Sequence, residues 1–290
     1  MRKISISDKI GMILFLAPAV ILFTVFFVYP VGFILVTSFT EWDGMSSPVF
    51  VGLRNYTTIF KDPIFRLAIR NNIGWVIAGG FIQVPLAVIV ALMLSKKPFG
   101  WKALRTIYYF PNVISTVSLS MMWMAVYNSE YGILNGLLKI LGLGHLQRNW
   151  LGDLHTAFYS VVLYGVFYIG YFMIILLADI SSIPKSYYEA ASIDGATKIQ
   201  QDFYITLPMI KGTIGTCMTV AMVYGLRQFE QTYVMTNGGP ANKTMVMVLY
   251  LFKKIGDFKY GIADASAVVL LLIGSLVILT VKRIFRTENN

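Results

Sequence analysis

The chain has 290 residues, of which 57% are hydrophobic and only 13% are charged. Because soluble domains carry about 25% charged residues, this composition argues against a soluble all-α protein and indicates a chain surrounded mostly by lipid. The formal net charge of +10 comes with no basic run interleaved with aromatic residues, so it argues against nucleic-acid binding.

Long charge-free runs recur along the chain, and each is close to the roughly 20 apolar residues that a transmembrane helix needs. We predict six transmembrane helices, at about residues 10–38, 71–95, 106–128, 156–179, 209–236 and 260–281. The first run is too long for a cleaved signal peptide, which makes it a retained helix. The predicted fold is an all-α polytopic membrane protein, with a single transmembrane domain over residues 1–290.

The distribution of Lys and Arg predicts that both termini are cytoplasmic, because basic residues concentrate in loops on the inner side of a membrane. The clearest signal is the short loop after the second predicted helix, which contains Lys96, Lys97, Lys102 and Arg105. In this orientation the loop 180–208 is also cytoplasmic.

A polar segment, YYEAASIDGATKIQQDFYITLP at residues 187–208, interrupts the apolar pattern. The pair Asp194-Gly195 is a turn signal, and the residues on either side are good helix formers. We therefore predict two short helices joined by a turn, with the second helix ending at Leu207-Pro208. The small side chains of Ala190 and Ala191 would let a partner approach the backbone closely.

The spacing in this segment resembles the EAA loop of ABC importer permeases, EAA-x3-G-x9-I-x-LP. Every position is matched, by Glu189, Ala190, Ala191, Gly195, Ile205, Leu207 and Pro208. The sequence TNGGP at residues 236–240 is similar to permeases of the maltose-permease type, which import carbohydrates. Gly132 and Asn135 resemble the G-x-x-N of the same family, and the resemblance covers nearly the whole chain.

The resemblance implies a type I ABC importer permease with a cytoplasmic EAA coupling helix in a bacterial or archaeal plasma membrane. Two permeases, normally different homologous chains, would pair in the membrane and dock on two ATPase subunits, while an extracellular solute-binding protein delivers the carbohydrate. The implied coupling residues are Glu189, Ala190, Ala191, Asp194, Gly195, Leu207 and Pro208.

No residues in the sequence form a pattern for a metal or a nucleotide. The single cysteine, Cys217, and the two histidines show no metal-ligand spacing. There is no Gly-rich phosphate loop and no nucleophile elbow. We therefore expect a transport subunit that is not an enzyme and binds no cofactor, with ATP and Mg²⁺ held by the partner ATPase.

Polar and aromatic side chains inside three predicted spans are candidates for a substrate pathway, because polar groups within a bilayer usually face a cavity or a partner. They are Asn112, Thr116, Tyr164, Tyr168, Tyr171, Tyr224 and Gln228. Aromatic rings with amide and hydroxyl groups suit a sugar, although Ser, Thr and Tyr also serve helix packing and membrane interfaces.

The resemblance bears on these candidates too. In maltose-type permeases the positions matching Asn112, Thr116 and the three tyrosines on the fourth span face the sugar. The matching positions on the fifth span are Ala221 and Gly225, which carry no polar side chain, so Gln228 is expected to take the polar role. Arg227 and Glu230 are expected to form an ion pair with each other or with the partner permease.

Two alternatives remain open at this stage. The same machine could import glycerol phosphate or another polyol, although a phosphate would favour several convergent cations. The chain could instead be a stand-alone secondary transporter, but such folds often show internal repeats and charged residues at the membrane midplane, and no clear repeat is found.

Overall fold

The computed structural model describes residues 6–285, and these are helical over most of their length. The helices are α1 (Ile6–Phe23), α2 (Tyr29–Thr37), α3 (Arg54–Lys61), α4 (Pro63–Ile77), α5 (Val84–Ser95), α6 (Trp101–Tyr109), α7 (Thr116–Val126), α8 (Ile133–Ile140), α9 (Ala157–Val166), α10 (Gly170–Ser182), α11 (Lys185–Ile193), α12 (Lys198–Gln201), α13 (Leu207–Met209), α14 (Lys211–Leu226), α15 (Glu230–Thr236), α16 (Met247–Gly256) and α17 (Tyr260–Ile284). Segments of π-helix at Thr24–Val28, Ala78–Gln83 and Asp202–Thr206 connect successive helices, and 3₁₀ turns occupy Phe110–Val113 and Gly144–Leu146. Strands β1 (Thr40–Glu41) and β2 (Val49–Phe50) pair antiparallel.

Four helical stretches are long and apolar enough to cross a membrane, namely Leu14–Thr37, Pro63–Ser95, Ala157–Ser182 and Tyr260–Ile284. A fifth candidate is the pair Lys198–Met209 and Lys211–Leu226, which is bent by 69°. These stretches correspond to the first, second, fourth, sixth and fifth predicted spans. The predicted count of six is not confirmed by the described residues.

The third predicted span, 106–128, is not one continuous helix. Helix α6 ends at Tyr109 and gives way to a 3₁₀ turn, Ile114 is extended, and α7 begins only at Thr116. Pro111 lies in this turn; it has no N–H to donate, and its ring opposes helix continuation. The apolar helix that remains is Thr116–Val126, which is shorter than the other candidates.

The fifth predicted span, 209–236, is interrupted twice. The chain bends at Ile210, and residues 227–229 separate α14 from α15. The second predicted helix of segment 187–208 starts as α12, continues through the π-helical segment Asp202–Thr206 and ends at Met209, one residue after the predicted Leu207-Pro208 end. Pro208 is the second residue of α13.

Two compact units make up the chain. The first comprises the chain up to Lys61 together with Leu251–Val269. Within it, the buried side chain of Asn55 donates hydrogen bonds to the carbonyl oxygens of Ser38 and Thr40, at 2.9 and 2.7 Å. This amide therefore holds the start of α3 against β1.

The second unit comprises Asp62–Tyr250 and the chain from Leu270 onward. It begins with a capped helix, because Asp62 Oδ1 accepts a hydrogen bond from the N–H of Ile64 at 2.8 Å and Pro63 occupies the first turn. Its apolar core is formed mainly by α5, α10 and α14 and includes Val84, Met173 and Cys217. This unit contains every candidate functional residue.

Candidate functional site

A cavity of about 540 Å³ opens within the second unit. All of the predicted pathway residues except Tyr164 line it, namely Asn112, Thr116, Tyr168, Tyr171, Tyr224 and Gln228. Residues from three predicted spans that are distant in sequence therefore share one cavity. The lining combines phenol rings with amide and hydroxyl groups.

Tyr164 lies behind the cavity wall. It is fully buried, and its hydroxyl donates a hydrogen bond to the Thr116 carbonyl oxygen at 3.3 Å. Its ring packs edge-on against the Tyr168 ring, with centroids 5.0 Å apart. Tyr164 thus supports two lining residues from the protein side.

Interruptions in the helices surround the cavity. They are the π-helical segment Ala78–Gln83, the 3₁₀ turn Phe110–Val113, residues 167–169 between α9 and α10, and residues 227–229 between α14 and α15. Each contributes lining residues, among them Gln83, Asn112, Tyr168 and Gln228. Non-helical backbone at membrane depth is tolerated only where it is buried in protein or lines a cavity, and the sequence did not predict this convergence.

Gln83 stabilises the interruption between α9 and α10. Its Nε2 donates hydrogen bonds to the carbonyl oxygens of Gly165 and Tyr168, at 3.2 and 3.0 Å. The Gly165 oxygen also accepts the backbone N–H of Tyr168 at 3.2 Å, so Gln83 adds a second donor there and a side-chain donor to the carbonyl of Tyr168. Gln83 was not among the residues predicted from the sequence, although an amide inside the charge-free run 71–95 was a signal.

Asn72 stabilises the interruption after α14 by hydrogen bonds from its side-chain amide to backbone carbonyls. The side chain is 1% exposed, and its Nδ2 donates hydrogen bonds to the carbonyl oxygens of Gly225 and Leu226, at 3.1 and 3.0 Å. Its Oδ1 accepts a hydrogen bond from the N–H of Met247 at 2.7 Å. Asn72 therefore joins the end of α14 to the start of α16.

Asn71, the preceding residue, fixes the chain before α16. Its Nδ2 donates hydrogen bonds to the carbonyl oxygens of Lys243 and Met245, at 2.9 and 2.8 Å. Two consecutive buried asparagines in an apolar run are expensive unless they are hydrogen-bonded. That pattern could have indicated their role from sequence, but not the identity of their partners.

The structure explains why position 225 carries no polar side chain. A Cβ at Gly225 would lie 2.8 Å from the carbonyl carbon of Trp75, so the backbones of α4 and α14 approach too closely for any side chain there. The cavity wall at this point is main chain and Trp75. Gln228, in the adjacent interruption, supplies a polar group that Gly225 cannot.

Arg227 and Glu230 both line the cavity. Both side chains are exposed, and the expected ion pair between them is not formed in the part of the chain that the structure describes. Their neighbour Gln231 also lines the cavity, and its Oε1 is buried without a hydrogen-bond partner. The charged residues of the cavity lining are thus Arg227 and Glu230, one cation and one anion.

The polar segment 187–208, called the EAA segment below, has the predicted helix–turn–helix form. Helix α11 ends at Ile193, and Gly195 adopts a φ of +79°, a conformation that favours glycine. Thr197 then caps α12, accepting a hydrogen bond from the N–H of Gln200 at 3.3 Å and donating its own N–H to the Gln200 side chain at 2.7 Å. This reciprocal arrangement is a capping box.

The EAA segment presents polar and apolar side chains to its surroundings. Glu189, Ala190, Asp194, Gly195 and Pro208 are exposed, while Ala191 and Leu207 are half-buried. Ile193 and Tyr204 are also exposed, at 87% and 79%. The segment is thus an accessible surface of mixed character.

An ion pair connects the EAA segment to the second predicted span. Lys96 Nζ lies 2.5 Å from Asp202 Oδ2, at the end of α5. A second contact, between the hydroxyls of Tyr188 and Thr206 at 3.0 Å, joins α11 to the π-helical segment that follows α12. Neither contact was predictable from the sequence, because both depend on long-range packing.

Comparison with known proteins gives one consistent result. A family described as binding-protein-dependent transport system inner membrane component matches residues 83–287. The probable ABC transporter permease protein YurN of Bacillus subtilis is 34% identical over 286 residues, which cover 97% of this chain and 98% of the relative. The trehalose/maltose transport system permease protein MalF of Thermococcus litoralis is 31% identical over 283 residues, which cover 96% of this chain and 95% of the relative.

The fold also matches a solved structure. The crystal structure of a bacterial alginate ABC transporter in complex with alginate pentasaccharide-bound periplasmic protein contains a chain that matches with a TM-score of 0.84. The sequence identity is 23%, and the match covers 97% of this chain and 96% of that chain. The two chains therefore share a fold.

Proposed function

This chain belongs to the inner membrane components of binding-protein-dependent transport systems, and on that premise we propose that it imports a sugar or an oligosaccharide. It is a multi-pass membrane protein. As an ABC importer permease it is a transport subunit, and the ATPase is a separate chain.

One observation carries the proposed substrate class, namely the chemistry of the cavity lining. Tyr168, Tyr171 and Tyr224 offer ring faces, and Asn112 and Gln228 offer amides. Aromatic faces cover the C–H surface of a sugar, and amides bond its hydroxyls in both directions. The names of the trehalose/maltose and alginate relatives point to the same class.

The alternatives are less well supported. Glycerol phosphate would favour several convergent cations, but the cavity lining offers Arg227 with Glu230 close to it in sequence. A stand-alone secondary transporter would not need the EAA segment, and the family match gives that reading no support. A neutral polyol is compatible with the same lining and is separated from a sugar by the experiment below.

The proposed topology has six spans within a single permease domain, residues 1–290, and both termini in the cytoplasm. The third span would be formed by α6 and α7 on either side of their interruption, and the fifth by α14 and α15. Clustered basic residues after α5, such as Lys96 and Lys102, support this orientation.

The proposed assembly contains a second permease, two ATPase subunits and an extracellular solute-binding protein. ATP and Mg²⁺ would be bound by the ATPase subunits, and this chain would bind neither. Exposed Glu189 would accept a hydrogen bond from a cationic group on the ATPase, and the turn at Gly195 would hold the two helices of the EAA segment at a fixed angle. Closure of the ATPases on ATP would then move this segment as a rigid body.

The direct test is uptake by proteoliposomes that contain this chain with its co-purified subunits and the cognate binding protein. A panel of labelled mono- and oligosaccharides, glycerol phosphate and a neutral polyol would be offered with ATP inside or outside the vesicles. We expect uptake of a carbohydrate that requires ATP on the ATPase side. Uptake that needs no ATPase subunit, or that takes only glycerol phosphate, would contradict the proposal.

A further inference from the structure

The short helix α8 presents an apolar stripe that no residue of the described chain covers. Ile133, Leu137, Ile140 and Leu141 are 64%, 51%, 82% and 69% exposed. At 3.6 residues per turn these side chains project from one face of the helix. A stripe of four large aliphatic side chains left in water would be unfavourable, so it requires a nonpolar environment.

The opposite face of α8 is tied to the loop that follows it. Asn135 is 4% exposed, and its Nδ2 donates hydrogen bonds to the carbonyl oxygens of Arg148 and Ser129, at 2.9 and 3.2 Å. Its Oδ1 accepts a hydrogen bond from Trp150 Nε1 at 2.8 Å. These bonds fix the rotation of α8, so the stripe is directed away from the loop.

We propose that α8 lies in the interfacial layer of the bilayer, with its stripe buried against lipid acyl chains just below the headgroups. The position of α8 in the chain supports this. Only residues 127–132 separate it from α7, a reach of roughly 20 Å at most. Helix α7 itself exposes Met121 and Met122, at 62% and 52%. Helix α8 therefore lies close to an apolar segment of the membrane domain.

The composition of the helix favours lipid over a protein partner. The stripe is purely aliphatic, whereas protein interfaces are enriched in aromatic residues, Met and Arg. Tyr131, 74% exposed just before α8, has the amphipathic character typical of the headgroup layer. Lys139 is the one charged residue of α8; it lies one turn after Asn135 on the polar face, from which its ammonium group can reach a lipid phosphate.

The test is site-directed spin labelling of the full chain, purified with its co-eluting subunits and reconstituted in nanodiscs of phosphatidylethanolamine and phosphatidylglycerol. Single cysteines would replace Ile140 or Leu137 on the stripe, and Lys139 on the opposite face as the matched control, in a Cys217→Ser background. Labels in lipid collide with oxygen more than with a water-soluble nickel complex. We expect an oxygen-to-nickel accessibility ratio several-fold higher at positions 140 and 137 than at 139.

Two results would overturn the proposal. High nickel accessibility at 140 and 137, equal to that at 139, would place the stripe in water. Low accessibility to both reagents would show that a protein surface covers it, whether from the partner permease or from the binding protein. A label at Leu276, a 66% exposed residue in α17, serves as the reference for lipid contact.

Discussion

Gln83 and Tyr168 are joined by a 3.0 Å hydrogen bond from the side-chain amide of the first to the backbone carbonyl of the second. A residue of the second predicted span therefore fixes the main chain where the fourth is interrupted. Because Tyr168 lines the cavity, the placement of its ring depends on an amide 85 residues away along the chain.

Replacing Gln83 by Leu should destabilise the protein and impair uptake. The change removes the amide that donates to Gly165 and Tyr168; the buried Gly165 oxygen keeps the N–H of Tyr168, whereas the half-buried Tyr168 oxygen loses its side-chain donor. Leaving a buried acceptor unpaired costs about 1–3 kcal/mol. The thermal unfolding midpoint in detergent should fall by roughly 2–4 °C for each kcal/mol lost. Gln228→Leu is the matched control, because it removes a cavity amide for which the structure shows no internal hydrogen bond. Equal midpoints for the two variants would contradict the role of Gln83.

Asn72→Asp should be more harmful than its small change in shape suggests. The carboxylate keeps an acceptor for the N–H of Met247 but loses both donors to the end of α14, and it places a charge at a position that is 1% exposed. An uncompensated buried charge costs about 3–5 kcal/mol. The measurement is the yield of monodisperse protein after size-exclusion chromatography. The exposed Asn149→Asp change should leave that yield near wild type, and a wild-type yield for Asn72→Asp would be inconsistent with this account.

Two tyrosines four residues apart in the sequence should separate stability from substrate binding. Tyr164→Ala empties a fully buried position and should lower the free energy of unfolding by about 3–5 kcal/mol. Tyr168→Ala should instead weaken sugar binding by about 1–3 kcal/mol, or roughly 5- to 150-fold, while basal ATPase activity survives. Uptake kinetics and unfolding midpoints would be measured on both variants.

Tyr168→Phe then divides the effect between the ring and the hydroxyl. Uptake close to wild type would assign the effect to stacking, and uptake as poor as in Tyr168→Ala would assign it to the hydroxyl. Wild-type uptake by Tyr168→Ala itself would move the substrate site to the partner permease.

Changes in the EAA segment should uncouple transport from ATP while membrane insertion stays intact. Glu189→Ala removes an exposed acceptor. Gly195→Val forces a β-branched residue into a φ of +79°, at a cost of about 1–2 kcal/mol, although no atom lies within 4 Å of the added Cβ. Reconstituted uptake and substrate-stimulated ATPase activity should both fall. Ser186→Ala, on the same helix, is the control, and normal coupling in both test variants would refute the assignment.

The orientation of the chain in the membrane can be measured by labelling intact cells with an impermeant thiol reagent. Single cysteines at Ser47 and Asn242 should be labelled from outside in a Cys217→Ser background, whereas cysteines at Ser186 and at Ser5, which lies outside the described residues, should be protected. Permeabilised cells provide the labelling maximum at each site. Labelling of Ser186 in intact cells would reverse the predicted topology.

The apolar spans were predictable because the lipid imposes length and composition on each helix by itself. The EAA segment was predictable for a similar reason, since its turn and its small residues are local. The interruptions of the helices were not predictable, because an apolar run does not show where its backbone hydrogen bonds are broken. Pro111 was visible in sequence, but the extended backbone at Ile114 that follows it was not.

The hydrogen bonds of Asn72 and Gln83, and the position of Tyr164 behind the cavity wall, depend on which parts of other helices lie opposite these residues. Tyr164, Tyr168 and Tyr171 all fall in the fourth predicted span, yet α9 ends at Val166 and α10 begins at Gly170. The three side chains therefore do not lie on one continuous helix. Asn72 and Gln83 were visible as polar residues, but their partners come from other spans.

The helical stretch from Pro63 to Ser95 has a mechanical consequence. At one end Lys96 is paired with Asp202 of the EAA segment, and along its length Asn72 and Gln83 hold the backbone of two other spans. If the EAA segment moves as proposed above, this one helical stretch would transmit the motion to both walls of the cavity. Because both walls are hydrogen-bonded to the same helical stretch, we expect them to move together. The cavity should then change shape in one concerted step.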